Sequence, residues 1–173
     1  MPGAIDSILD LPEYCTLYSQ CFSPDGTFLA VGDNRGRIII YQVSSITARS
    51  DHPQPSSPAK TVPVAIHIAF SAFDAPVFSL ISSNDDLIVG SLGQIAAWRW
   101  KDLQKKNLEK AWNIDLQPLP GLPNEVNFIE FDDSVGTAGR LIVASGDNNL
   151  KVFDIETAQK LQNLPGHDNY IHW

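Results

Sequence analysis

The sequence predicts an all-β chain assembled from repeated small antiparallel sheets, on three observations. A short apolar strand ending near glycine, a tight polar turn and a second strand closing on an aromatic occur three times: residues 28–32, 33–36 and 37–41; residues 87–90, 91–93 and 94–98; and residues 141–146, 147–149 and 150–154. Each hairpin follows another apolar run, at residues 16–22, 77–81 and 126–131, which supplies an inner strand. A third set of runs, residues 65–70, 109–115 and 160–164, falls where each unit needs a fourth strand. Four short antiparallel strands, repeated, describe the blades of a propeller.

In chain order, the first unit spans residues 16–70. Its inner strand joins the hairpin through Ser23-Pro24-Asp25-Gly26, where proline presets φ at the second turn position and glycine tolerates the exit geometry. The closing aromatics Tyr41, Trp98 and Phe153 lie 57 and 55 residues apart, more than the 40–45 or so of a compact blade. Two insertions explain the excess. Residues 44–63 carry Pro53, Pro55, Pro58 and Pro63 and read as a loop, because proline cannot donate ladder hydrogen bonds. Residues 101–110 pair Asp102 with Lys106 and Lys105 with Glu109 at i,i+4, with Leu103 and Leu108 on a weak apolar face, and read as a short surface helix. The second unit spans 75–116, the third 125–165, and residues 166–173 read as the first strand of a fourth blade. Three units and a strand do not make the usual ring of about 4–8 blades, so the expectation is an incomplete propeller, the N-terminal portion of a longer one.

Twenty acidic against twelve basic residues give a formal charge of −8, opposite to the footprint that sequence-independent binding of phosphate backbones requires. Cys15 and Cys21 form no CxxC pair and no Asn-x-Ser/Thr sequon occurs, so nothing points to secretion. Residues 1–11 hold Asp6 and Asp10 without a basic segment or a long apolar run. A soluble intracellular protein, in nucleus or cytoplasm, is the expectation.

Around the third hairpin, Ser145-Gly146-Asp147-Asn148-Asn149-Leu150-Lys151-Val152-Phe153-Asp154 resembles the Ser-Gly-x-Asp to Trp-Asp strand pair of the WD-repeat β-propellers, with Phe153 in place of tryptophan. Gly166-His167-Asp168 resembles the Gly-His opening of a further blade. In physical terms, Asp147 can accept backbone N–H bonds from a tight turn, and His167 can link blades by donating to such a turn. Six residues before the closing aromatic, the first unit has Arg35 and the second Leu92 instead of aspartate, so polar support in these two blades reads as incomplete. The order of Phe22-Ser23-Pro24-Asp25-Gly26, Asp74-Ala75-Pro76-Val77-Phe78, Lys105-Lys106-Asn107-Leu108-Glu109-Lys110 and Gly166-His167-Asp168-Asn169-Tyr170 is similar to the THO complex subunit six family. That resemblance implies a non-enzymatic nuclear scaffold of the THO/TREX complex, coupling mRNA processing to export through other protein subunits and touching mRNA at most indirectly.

The candidate partner-binding residues are Asp33, Asn34 and Arg35 in the first turn, Asp147 and Asn148 in the third, and His167 and Asp168, since such turns gather at one propeller rim. A second candidate is the cluster Arg99, Lys101, Lys105, Lys106 and Lys110, five of the twelve bases, flanked by Trp98, Trp100 and Trp112. It reads as an RNA or protein docking patch, or as a solvated helix with its tryptophans packed beneath, because Asp102 and Glu109 interleave. Catalytic, cofactor and metal sites are not expected. The four histidines lack a ligand set, no Gly-x-Ser-x-Gly elbow occurs, Gly32-Asp33-Asn34-Arg35-Gly36 leads into a strand rather than a helix, and Asp85/Asp86 and Asp132/Asp133 read as turn residues. A ubiquitin-ligase substrate receptor is the alternative scaffold, and a propeller hydrolase would need inward carboxylates that the sequence does not assemble.

Overall fold

The structure, a computed structural model, describes residues 15–47, 65–83, 85–117, 120–121, 124–134 and 139–172. Three four-stranded antiparallel sheets follow one another along the chain. The first holds β1 (Leu17–Phe22), β2 (Phe28–Asp33), β3 (Arg37–Gln42) and β4 (Ile66–Ser71). The second holds β5 (Ser79–Ser82), β6 (Asp86–Gly90), β7 (Gln94–Arg99) and β8 (Trp112–Asp115). The third holds β9 (Val126–Asp132), β10 (Arg140–Ser145), β11 (Leu150–Asp154) and β12 (Lys160–Leu164). Spatial order equals chain order in each sheet, the meander of a propeller blade.

Local chemistry explains the first hairpin. Ser23 Oγ donates to Asp25 Oδ1 at 2.6 Å and accepts the Phe28 N–H at 2.9 Å. Gly26, at φ 69°, donates to the Ser23 carbonyl, so serine and aspartate supply polar partners to a turn that glycine closes without steric penalty.

The sheets stack face to face, and alternation along each strand divides the core in two. Leu87 and Val89 of β6 join Ile38, Ile40, Ile68 and Phe70 of the first sheet, whereas Ile88 between them joins Val126, Ile129, Leu141 and Val143 of the third. The middle sheet is thus buried on both sides, which is why β6 reads as an unbroken apolar run. Edge-to-face contact of Phe70 with Trp98, at 5.4 Å between ring centroids, locks the first two sheets together. Matching registers put Ile38 opposite Gly32 and Leu150 opposite Ala144. Ile38 is fully buried, but Leu150 and Val152 are only half-buried, and β12 is exposed along its whole length. The second sheet covers Ile38; no sheet among the described residues covers Leu150.

Two seams repeat between consecutive sheets. At the first, Val77 N–H donates to the Asp33 carbonyl at 2.9 Å and Ser19 Oγ donates to the Val77 carbonyl at 3.4 Å. At the second, Val126 N–H donates to the Ser91 carbonyl at 3.0 Å and Ser79 Oγ to the Val126 carbonyl at 3.0 Å. A Cβ on Gly32 would collide with Val77, and one on Gly90 with Val126 and Ser79, so glycine at the end of the second strand lets the next sheet approach.

Both insertions differ from the sequence expectation. The start of the 44–63 segment is helical, as part of α1 (Val43–Thr47), and residues 48–63, including His52, lie outside the described residues, as do residues 1–11. In the other insertion the helix predicted over 101–110 is confined to α2 (Trp100–Gln104). Its anchors are Trp100 and Leu103, both buried. Lys106 adopts φ 60° and ends the helix, with the N–H groups of Lys105 and Asn107 both donating to the Asp102 carbonyl. Residues past the turn are drawn away to join the second sheet, where Trp98 Nε1 donates to the Leu108 carbonyl at 3.0 Å and Ala111 N–H to the Ala97 carbonyl at 2.8 Å. The i,i+4 pairs Asp102/Lys106 and Lys105/Glu109 therefore have no helix to align them.

Candidate functional site

The turn between the second and third strands is built differently in each sheet. In the first, Asp33 is fully buried. Its Oδ1 accepts the N–H groups of Arg35 at 2.9 Å and Arg37 at 3.0 Å, and its Oδ2 accepts Arg37 Nε at 2.7 Å. The first turn thus has its carboxylate, contrary to the expectation drawn from Arg35: it comes from the first turn residue instead of the third. In the third sheet, Asp147 Oδ1 accepts Asn149 N–H at 3.3 Å and its Oδ2 lies 2.6 Å from Lys151 Nζ, which also donates to Ser145 Oγ at 3.1 Å. Burial raises the Asp147 pKa, but hydrogen bonding to Lys151, the charge of Lys151 and bonds from Ser145 and Asn149 outweigh it and hold the carboxyl below its ordinary value. In the second sheet a two-residue turn, Leu92-Gly93, does without a carboxylate. Ser91 N–H donates to the Gln94 carbonyl at 2.9 Å, Gly93 sits at φ 70°, and Ser91 Oγ donates to the Pro76 carbonyl at 2.8 Å.

The seams set these three turns side by side, so the structure brings the candidates at 33–35 and 147–148 to equivalent positions. Asp33 and Asp147 are buried there with their carboxylates engaged; Asn34, Arg35 and Asn148 are the partly or fully exposed groups beside them. His167 and Asp168 are exposed in a segment without strand pairing, and no hydrogen bond of the His167 ring occurs among the described residues. Lys105 and Lys106 are not gathered with the turns. They follow Arg99, whereas the Leu92-Gly93 turn precedes Gln94, at opposite ends of β7, about 17 Å apart at strand rise.

Sequence reasoning missed the bases that complete the turns. Arg37 and Lys151 each stand four residues after the aspartate they pair with. It also missed a groove of about 690 Å³ between the first two sheets, lined by Phe73, Asp74, Leu92 and Lys110 among others. Lys110 Nζ lies 5.0 Å from the Phe73 ring centroid and 5.6 Å from that of Trp98, so this cation is held over aromatic faces. Asp86 is a third buried carboxylate. Burial pushes its pKa up against the opposing effects of Trp112 Nε1, which donates at 3.0 Å, and of Arg99. Burial also drives the Cys21 thiol up to about 12, which leaves it inert as a nucleophile at neutral pH. Among the described residues no three metal-ligating side chains converge, and no helix is long and apolar enough to cross a membrane.

Sheet topology, stacking and aspartate-clamped turns together define the class: this is a WD-repeat protein of the β-propeller type. Residues 8–42 match the WD domain, G-beta repeat family. In fold the chain is similar to a chain in a crystal structure of the mitotic checkpoint complex, with TM-score 0.68 and 20% identity, covering 94% of this chain and 42% of that one. It is also similar to the crystal structure of RRP9 WD40 repeats, with TM-score 0.63 and 17% identity over 92% and 42% of the two chains. In sequence it is 34% identical to THO complex subunit 6 of Homo sapiens over 159 residues, 92% of this chain and 44% of that protein. To the THO complex subunit 6 homolog of Danio rerio it is 32% identical over 161 residues, 92% of this chain and 46% of that protein. The chain is thus similar to THO complex subunit 6 proteins along nearly all of its own length, and spans somewhat under half the length of these relatives.

Proposed function

We propose that the chain acts as a non-enzymatic scaffold of the THO/TREX complex in the nucleus, serving mRNA processing and export through contacts with other protein subunits. The carrying observation is the alignment of 92% of the chain with proteins named THO complex subunit 6. The geometry supports it: Asp33 and Asp147 are engaged in holding turns, which leaves Asn34, Arg35 and Asn148 partly or fully open beside them, and in this reading these residues, with the exposed His167 and Asp168, meet protein partners. Rigid sheets that display variable turns suit recognition better than turnover. In this reading residues 16–70, 75–116 and 125–165 are three blades, residues 166–173 open a further one, and mRNA is reached through the partners.

Affinity purification of the tagged chain from nuclear extract tests the assignment. Recovery of THO subunits is the expected result. Recovery of cullin adaptors without THO subunits would replace it with the substrate-receptor reading.

A further inference from the structure

We propose that the corner formed by α2 and its closing turn is a docking surface for an acidic protein segment, read by Lys101, Lys105 and Lys106; this rests on the reading of the chain as a protein-contact scaffold. The solvated-helix alternative needs Asp102 and Glu109 to neutralise the lysines at i,i+4. With α2 ending at Gln104 that neutralisation is lost, and among the described residues none of the three lysines lies within 4.0 Å of a carboxylate. Arg99 is turned to Asp85 and Asp86, and Lys110 to the Phe73 and Trp98 rings. Lys101, Lys105 and Lys106 are all exposed and form a cationic corner on a chain of formal charge −8; the charge of Lys101 also reaches Asp86, while Lys105 and Lys106 face solvent.

Local stability does not select this arrangement. Lys106 occupies the left-handed region at φ 60°, where a β-carbon is crowded by the backbone and glycine or asparagine fits more easily.

Chemistry then separates the two kinds of polyanion. Single-stranded RNA binding of this kind uses exposed rings on which bases stack; Trp98 and Trp100 are 1% and 5% exposed, and Trp112 is half-buried against the second core, with its indole N–H donating to Asp86. A continuous phosphate track would also meet Asp85, whose side chain is 81% exposed and whose carbonyl accepts the N–H of Trp100 at the start of α2. A peptide places carboxylates singly and can set a neutral residue against Asp85.

The test is fluorescence anisotropy of the whole chain with a short fluorescein-labelled peptide of alternating glutamate and alanine, and with an oligouridine of equal charge. The expected result is salt-sensitive peptide binding that falls roughly tenfold or more in both Lys105→Glu/Lys106→Glu and Lys105→Gln/Lys106→Asn, with oligouridine binding roughly tenfold weaker than peptide. The second variant relieves Lys106, so its thermal midpoint should be unchanged or raised and a folding defect cannot mimic the loss. Peptide binding unaltered in the variants, or oligouridine binding as tight as peptide, would overturn the proposal. Because the anisotropy uses no cellular partner, its failure is distinguishable from failure to recover THO subunits.

Discussion

Asn127 donates its side-chain amide to the carbonyl of Ile171 across 3.1 Å, repeating on the third sheet the bond that Ser79 makes to Val126 and Ser19 to Val77. In all three cases a polar side chain of the inner strand receives the first apolar residue that enters the next blade. Ile171 is 7% exposed while its neighbours are open to solvent, so among the described residues this hydrogen bond and this buried side chain fasten the segment. Asn127→Ala removes the bond, and amide exchange of residues 170–172 should accelerate by roughly three- to tenfold, the equivalent of about 1 kcal/mol. Unchanged protection by hydrogen exchange would refute the equivalence of the three seams.

The glycines at the seams make a second prediction. Gly32→Ala and Gly90→Ala force a Cβ against Val77 and against Val126 with Ser79, and overpacking of this kind costs about 1–3 kcal/mol or more. Gly26→Ala, with nothing within 4 Å and φ 69°, should cost only about 1 kcal/mol through the backbone. Urea midpoints should fall further in the first two variants than in Gly26→Ala.

Asp33 and Arg37 form a buried pair, both under 10% exposed. Arg37→Met leaves the Asp33 carboxylate buried without its cation and should cost about 3 kcal/mol, whereas Asp33→Asn/Arg37→Met should recover much of that loss. A double-mutant cycle in urea measures the coupling; additive losses would show that the pair is not clamping the turn.

Acid sensitivity follows from Asp147. Its folded pKa lies below the ordinary 3.8, so the unfolded chain binds the proton more readily. The stabilisation is present above pH 3.8 and is lost as pH falls through the folded value. Lys151→Gln removes the main groups that lower this pKa, so unfolding free energy should fall less steeply below pH 4 than in the parent. Identical acid slopes would contradict that assignment.

Strand positions, the Ser23–Gly26 turn and the repeated hairpins were readable from the chain because apolar alternation and turn chemistry act over a few residues. The clamp in the first turn was hidden, since aligning it on the closing aromatic points to Arg35, while the carboxylate that serves it is Asp33, bonded to a base four residues on. The end of α2 was hidden for another reason. Local i,i+4 charge pairs favour continuing the helix through Lys110, but each exposed pair is worth only a few tenths of a kcal/mol, too little to resist the second sheet as it draws Leu108 to Trp98 and Ala111 to Ala97. The sequence by itself determined the repeated all-β units and their turns; only tertiary packing decided which carboxylates were consumed inside them and which lysines were left free, because those outcomes depend on the neighbouring sheets competing for the same atoms.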